Sequence, residues 1–422
     1  MEIGRKNAIS IGCFCCEKQS LFCLIEIGDF GKRCILGKSF LALVFPTGLG
    51  RMKFYLKKIV LCLACFFFSL FFKLKPKKVF FRAYNGLRYA CNPRAISEKL
   101  HELAPEYDIV WCFRTPEKIE DFPDYARFVK KGSFAELFEM FTSKICVLNA
   151  GIVLPCKRRG QFFLDTWHGD RAFKKVNLSA DGKSSLVDAY RIIDVVLSGS
   201  DYADKVYDDA MKFKGEILHC GSPRNDIFFE DVTERVKCIR NKLQIENFDC
   251  VLTFAPTFRG VCSGVDDLDF SKLLDLLQEK TGKRWCALSR QHYKVKISDN
   301  WSKDPRIINA SSYPEMQDIL LVSDIVVSDY SSLVGDYVLL NRPVILYVPD
   351  LEEYKSGRGL YFDIEQSPFV YATNEEDLFK KVLDVPSMNV IQNCKDILDF
   401  YGHVCENGTA SEQACKWIMS RA

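Results

Sequence analysis

Several short stretches of this chain carry side chains able to work on a phosphate ester. Asp165-Thr166-Trp167-His168-Gly169 sets an imidazole beside a glycine that lets another group come close. A hydroxyl attacking phosphorus must lose its proton, and an imidazole titrating at about 6.5 suits that task, which makes His168 the candidate general base. Cys220-Gly221-Ser222-Pro223-Arg224-Asn225-Asp226 reads as a rigid turn from which Arg224 could clamp phosphate oxygens in bidentate fashion. Phe254-Ala255-Pro256-Thr257-Phe258-Arg259 and Ser289-Arg290-Gln291-His292 each end an apolar run. Arg290 and His292 are suited to neutralising a diphosphate and to protonating or stabilising a leaving group. Ser323 to Asp336 reads as a strand turning into a helix whose N-terminus holds Ser331 and Ser332, a place where free N–H groups and hydroxyls meet an anion. Asp336, one helical turn past Ser332, could accept from a donor hydroxyl.

Each stretch also has a bland reading. His168 and His292 could be satisfied by backbone carbonyls, Arg224 could be solvated on a surface turn, and the serines could be ordinary helix caps. What sets them together is location, each at the end of an apolar run. Asp266, Asp267 and Asp269 fall in a polar stretch and read as a solvated loop or helix start. No acidic pair is convincingly placed for a metal, so the expectation is metal-free chemistry without a cofactor, with phosphate charge met by Arg and Lys.

The elements that must position these groups alternate from Val79 onward, short apolar runs with helical stretches of ten to fifteen residues, the pattern of an α/β fold with parallel sheets. Expected strands of a first domain over 78–230 are Lys78 to Phe81, Ile109 to Phe113, Ile145 to Leu148, Gln161 to Leu164, Val195 to Ser198 and Glu216 to Cys220. A charged helix from Asp231 to Lys242 leads into a second domain over 231–400. Its expected strands are Val251 to Phe254, Trp285 to Leu288, Arg306 to Ile308, Ile325 to Val327 and Val344 to Tyr347, and a C-terminal helix occupies 401–422. Ligands of open parallel sheets bind beyond the carboxyl ends of strands, where all the loops above fall, and two such domains facing each other form a cleft.

A length of 422 residues favours two domains, and 48% hydrophobic with 27% charged residues is the composition of a globular protein. The net charge of +3 is too small to predict nucleic-acid binding. The 19 cysteines are scattered without zinc-ligand spacing and read as reduced, partly buried thiols. Residues 1–51 are dense in Cys and Gly, and Met52 opens a stretch that reads as a natural N-terminus. In 52–77 the apolar run Ile59 to Phe72 is flanked by Lys53, Lys57 and Lys58 and by Lys73, Lys75, Lys77 and Lys78. That run is short for a bilayer span and suits a helix lying in an anionic membrane interface, with a buried core helix as the alternative.

Taken in order, the blocks Asn92-Pro-Arg-Ala95, Asp108-Ile-Val-Trp111, Thr166-Trp-His-Gly169, Gly221-Ser-Pro-Arg-Asn-Asp226, Ala255-Pro-Thr257, Asp324-Ile-Val-Val-Ser-Asp-Tyr-Ser-Ser332, Asn341-Arg-Pro343 and Asp350-Leu-Glu-Glu-Tyr354 resemble the CDP-glycerol glycerophosphotransferase family, the teichoic-acid primases and polymerases. The likeness runs over about residues 78–415. It implies a GT-B arrangement of two Rossmann-like domains, with nucleotide held mainly by the second. It also implies attack of an acceptor hydroxyl on the β-phosphate of CDP-glycerol, expelling CMP, at the cytoplasmic face of the membrane. Carried over by position, His168 and His292 are the implied catalytic histidines; Gly169, Arg224, Pro256, Thr257, Arg290, Ser331, Ser332 and Asp336 are the implied donor-binding positions. The sequence departs from the family's pattern at Asp170-Arg171-Ala172-Phe173, beside the proposed base, and at Asn407-Gly-Thr-Ala410. A CDP-ribitol or other nucleotide-activated donor is the competing substrate, and a catalytically silent nucleotide-binding scaffold at the membrane is the competing class.

Overall fold

The computed structural model describes residues 9–16, 20–27, 32–36 and 49–422, apart from 151–155, 182–189, 258–267 and 292–300. Near the N-terminus Ile9–Cys16 (β1), Ser20–Ile27 (β2) and Lys32–Leu36 (β3) pair as an antiparallel meander. Helix α1, Leu49–Phe71, follows.

The first domain is built on Lys75–Arg82 (β4), Asp108–Phe113 (β5), Arg127–Lys130 (β6), Ser143–Leu148 (β7), Phe162–Asp165 (β8), Val195–Ser198 (β9) and Glu216–His219 (β10). They form one parallel sheet in the order β10-β9-β8-β7-β4-β5-β6. Both faces are covered, which is why the inner strands read as unbroken apolar runs. Phe80, Val110, Cys146 and Phe163 enter one core with Cys65 and Phe68 of α1 and with Met140 and Phe141 of α3, Phe134–Thr142. Val79, Phe81, Trp111, Val147 and Leu197 enter the other, with Ile96 and Leu100 of α2, Cys91–Leu103. The C-terminal helix Ala410–Arg421 returns to this second face, burying Ala414, Trp417 and Ile418 there.

The second domain is a parallel sheet of Cys250–Ala255 (β11), Trp285–Ser289 (β12), Ile307–Asn309 (β13), Ile325–Ser328 (β14), Val344–Tyr347 (β15) and Val370–Ala372 (β16), in the order β13-β12-β11-β14-β15-β16. Every strand expected from the apolar runs is present, with ends shifted by a few residues. Strands β6 and β16 were not expected: each is an edge strand with only one buried residue, Val129 and Ala372, so neither carries an apolar run. The helix expected from Asp231 starts at Thr233, because the Asp231 carboxylate accepts from the Thr233 N–H (3.0 Å) and hydroxyl (2.7 Å) and holds a turn there.

In each parallel sheet the strand order reverses beside the strand that comes first in sequence: β4 lies between β5 and β7, and β11 between β12 and β14. Connections leaving such a strand diverge to opposite faces and open a crevice at its carboxyl end. The two crevices are bounded by Tyr84 and Asn149 in one domain, and by Pro256, Thr257, Arg290 and Asp329 in the other.

The domains are joined in part through the stretch that follows Gly169, residues 170–175. Phe173 is fully buried in the second domain's core against Phe362 and Phe369. Around it the Lys175 N–H donates to the Gly359 carbonyl (3.0 Å), and the Tyr361 N–H to the Phe173 carbonyl (2.8 Å).

Helix α1 has two unlike faces. Cys65 and Phe68 are buried, whereas Leu56, Val60, Leu63, Phe67 and Phe71, at helical spacing, are exposed together with nearby Phe134. Lys73 and Lys75 are exposed beyond it, but Lys78 turns inward, where its ammonium donates to Thr142 (2.7 Å) and pairs with Glu139. Among the described residues no helix is long and apolar enough to cross a membrane, and the cysteines there are free thiols, most of them buried.

Candidate functional site

His168 lies two residues beyond Thr166, in a loop bent by a left-handed Trp167 with φ of 45°. A tryptophan there costs about 1 kcal/mol or more, and the neighbours offset it. The Asp165 carboxylate accepts from the Trp167 N–H (2.9 Å) and the indole packs on Tyr207. The Asn92 amide donates to the carbonyls of Thr166 (3.1 Å) and Trp167 (3.2 Å), while its own oxygen accepts from the Arg224 N–H (3.0 Å). A Cβ on Gly169 would lie 3.4 Å from the indole, so the Gly169 backbone packs directly against the Trp167 ring.

The imidazole itself is fixed by β7. Its Nδ1 lies 2.5 Å from the backbone carbonyl of Asn149, and the Tyr84 ring meets it edge-on at 5.3 Å. A carbonyl only accepts, so Nδ1 carries the proton and Nε2 presents a lone pair. Desolvation by the surrounding protein pushes the imidazole down to about 4; the Asn149 carbonyl opposes the shift, and the Arg224 and Lys174 cations add to it. The ring is nevertheless exposed to solvent, which screens part of that push, and the consequence that survives is the direction: a neutral base at pH 7.

Asn149 and Tyr84 were not anticipated. Asn149 is fully buried and its side-chain oxygen accepts from the Tyr84 N–H at 2.7 Å. Tyr84, Asn85 and Gly86 are three consecutive left-handed residues, φ 45°, 57° and 87°. Arg114 Nε (3.0 Å) and Lys131 Nζ (3.4 Å) both donate to the Asn85 carbonyl and hold this turn. The available signal was position alone: Asn149 directly follows β7 and Tyr84 lies two residues past the end of β4.

Arg224 and Asp336 do come together, but with each other. Arg224 donates from Nε (3.0 Å) and Nη2 (2.9 Å) to one oxygen of Asp336, whose other oxygen accepts from Asn225 (2.9 Å) and Arg171 (3.3 Å). Arg171 also pairs with Glu406. All five side chains are buried, and the cluster ties the first domain, the helix Leu333–Tyr337 (α4) and the C-terminal stretch into one unit. Asp336 therefore faces the domain junction, and the hydroxyl-accepting role expected of it has no open oxygen to serve it.

On the second domain, Pro256, Thr257, Arg290, Ser331 and Ser332 stand together at the strand ends. The Asp329 carboxylate accepts from the Thr257 N–H (2.9 Å to each oxygen) and so joins the ends of β11 and β14. Ser332 precedes α4 without a side-chain cap bond, and Ser331 Oγ accepts only a long 3.5 Å contact from the Leu333 N–H. Both serines are half-exposed, so neither hydroxyl is committed to capping. Arg290 donates from Nη1 to the carbonyls of Ala310 (2.8 Å) and Tyr313 (2.6 Å); burial, then Arg88, pushes its guanidinium down to about 10. His292, Arg259, Asp266 and Asp267 lie outside the described residues, whereas Asp269 caps the helix Phe270–Thr281, accepting from the Lys272 N–H at 3.0 Å. No group of three His, Cys, Asp or Glu side chains among the described residues is placed to hold a metal ion.

Comparison with known proteins places this arrangement. The chain is 27% identical over 372 residues to the teichoic acid poly(glycerol phosphate) polymerase of Bacillus subtilis (strain 168), covering 82% of this chain and 49% of the relative. It is 27% identical over 365 residues to the protein of the same name from Bacillus spizizenii (strain ATCC 23059 / NRRL B-14472 / W23), covering 81% and 92%. This chain thus spans about half the length of the first relative and most of the second. The solved structure of the wall teichoic acid polymerase TagF superposes with a TM-score of 0.72 at 25% identity, over 89% of this chain and 98% of that one. A histidine-to-asparagine variant of TagF soaked with CDPG superposes with a TM-score of 0.73. With the two-sheet fold matched over 89% of this chain, and with residues 64–420 fitting the family described as CDP-Glycerol:Poly(glycerophosphate) glycerophosphotransferase, the chain belongs to that family.

Proposed function

We propose that this protein transfers glycerol phosphate from CDP-glycerol to a hydroxyl of a teichoic-acid-like polymer or lipid-linked precursor, releasing CMP. The observation that carries the reading is the fixed tautomer of His168, whose Nε2 lone pair is aimed from the first domain while its Nδ1–H is held by Asn149. In the step, Nε2 takes the proton of the acceptor hydroxyl as its oxygen bonds the β-phosphorus. The bond between that phosphorus and the bridging oxygen breaks, and the electron pair leaves with CMP. Arg290, Ser331 and Ser332, at the strand ends around Pro256 and Thr257, meet the phosphate charge, so that guanidinium and hydroxyl groups neutralise it without a metal or cofactor. His292 is assigned to the leaving-group side. Gly169 gives the reacting phosphate room beside the base. Arg224 and Asp336 act one step removed, by locking the domains that carry the base and the donor.

The acceptor is carried by a membrane surface in this reading, the protein lying peripherally on its cytoplasmic side. Support comes from the exposed stripe Leu56, Val60, Leu63, Phe67 and Phe71 with Phe134, bordered by exposed Lys73 and Lys75, which matches an acyl boundary under anionic headgroups.

The test is CMP release by the purified chain with CDP-glycerol and a glycerol-phosphate-primed lipid acceptor, with CDP-ribitol in parallel. His168→Ala should lower kcat by about a hundredfold or more while CDP binding persists. Turnover unchanged in that variant removes His168 as base, and faster turnover of CDP-ribitol reassigns the donor.

A further inference from the structure

Arg88, which none of the motifs above contains, reaches from the first domain into the second. Its Nη1 donates to the carbonyls of Tyr313 and Pro314, each at 3.3 Å. Tyr313's carbonyl is the same oxygen that accepts from Arg290 at 2.6 Å. Two guanidinium groups, one from each domain, therefore converge on one carbonyl, and Arg88 is among the groups that lower the Arg290 pKa. Among the described residues neither arginine is within ion-pair distance of a carboxylate, and the one carboxylate that acts on Arg290, Glu315, only partly opposes the downward push of burial and Arg88.

Holding like charges together in a partly desolvated place costs free energy unless an anion joins them. The backbone around Arg88 is built to hold it there. Upstream, the left-handed turn at Tyr84 to Gly86 is closed by the Gly86 N–H donating to the Ala83 carbonyl (2.8 Å) and by the Arg114 N–H donating to the Gly86 carbonyl (2.7 Å). Downstream, Cys91, left-handed with φ of 65°, donates its N–H to Glu315 Oε2 at 2.8 Å. The same turn carries Tyr84, whose ring touches His168. One anchored segment thus spans from the base to Arg290.

We propose that Arg88 completes, with Arg290, a phosphate site shared by the two domains, and that it positions a phosphate group of a substrate relative to His168. The inference rests on the transferase reading above. The shared chemistry is a phosphate ester, supplied either by the donor's diphosphate or by the terminal phosphodiester of the acceptor chain.

The experiment uses the full chain with Arg88→Ala and Arg88→Lys, measuring CDP affinity by calorimetry, KM and kcat for CDP-glycerol and for the primed acceptor, and the thermal midpoint. If the donor diphosphate occupies the site, Arg88→Ala weakens CDP and raises the CDP-glycerol KM by about tenfold or more, the loss of one charge-assisted hydrogen bond. If the acceptor phosphate occupies it, CDP affinity holds and the acceptor KM rises by a similar factor. In both cases Arg88→Lys recovers part of the loss, and added salt narrows the gap between wild type and Arg88→Ala. CDP affinity and both KM values within about twofold of wild type overturn the proposal, whatever the thermal midpoint does, and leave Arg88 as a latch on Tyr313. A wild type that binds CDP without turning over CDP-glycerol defeats the donor reading alone, and calorimetry then decides Arg88: unchanged affinity of Arg88→Ala for both CDP and the primed acceptor overturns the site.

Discussion

The Asn149 carbonyl holds the Nδ1 proton of His168 at 2.5 Å, so a backbone atom at the end of β7 decides which nitrogen of an imidazole after β8 is free to accept a proton. No side chain is needed for this, and no substitution of Asn149 removes the carbonyl. What the Asn149 side chain adds is the grip on Tyr84, the ring that flanks the imidazole.

Because the His168 pKa is lowered, toward about 4, the imidazole proposed as base stays unprotonated well below neutrality. The acid limb of kcat/KM should therefore fall below about pH 6.5, the ordinary histidine value, with activity lost only as pH drops toward the folded-state pKa. A limb at or above 6.5 would show that the ring is not held neutral by its surroundings. In stability the same group is neutral above 6.5 in both states, and it costs stability as pH falls from about 6.5 toward 4, where only the unfolded chain takes the proton.

Asp336 is the shared acceptor for Arg224, Arg171 and Asn225. Asp336→Ala leaves buried guanidinium charge without its partner and should cost about 3–5 kcal/mol, read as a lower urea midpoint at unchanged slope. Full stability with weakened CDP binding would instead make this carboxylate a ligand contact.

The carboxylates of Asp170 and Glu406 face each other across Gly199, where a Cβ would lie 2.6 Å from Asp170 Oδ2 and 2.7 Å from Glu406 Oε1. Burial first, and Glu406 next among the raising influences, push the Asp170 carboxyl up to about 7, against the pull of Arg171 and the Gly199 N–H. A raised carboxyl stabilises the fold at low pH, and that stabilisation is lost as pH climbs from about 4 through 7. Asp170→Asn, which cannot ionise, should gain thermal stability relative to wild type at pH 8, by roughly 2 °C or more, with the advantage shrinking at pH 5.5. An advantage that does not change with pH would place the proton elsewhere.

For the stripe on α1, Leu63→Glu with Phe67→Glu replaces exposed apolar surface by charge of the headgroups' own sign. Cosedimentation with phosphatidylglycerol vesicles should fall by about tenfold, while turnover on a water-soluble acceptor stays near wild type. Equal cosedimentation of the double variant and wild type would detach the stripe from the membrane.

Much of the fold was legible locally. A strand buried on both faces must be apolar at nearly every position, so Val79 to Phe81 or Ile325 to Val327 announce themselves. Edge strands such as Arg127–Lys130 do not, because solvent permits polar residues there. His168, Arg290 and the serines were legible as polar groups ending apolar runs, and their grouping at strand ends follows from the topology rule alone.

The sequence by itself determined the alternation of strands and helices and the residue types at the strand ends, since both follow from short-range periodicity and chain direction. Only the tertiary structure decided that Arg224 and Asp336, 112 positions apart, spend their charges on each other, and that Arg88 meets Arg290 across the cleft. Pairing of charges depends on distance in space and on the loss of water around them. Neither quantity is written in the spacing of residues along a chain.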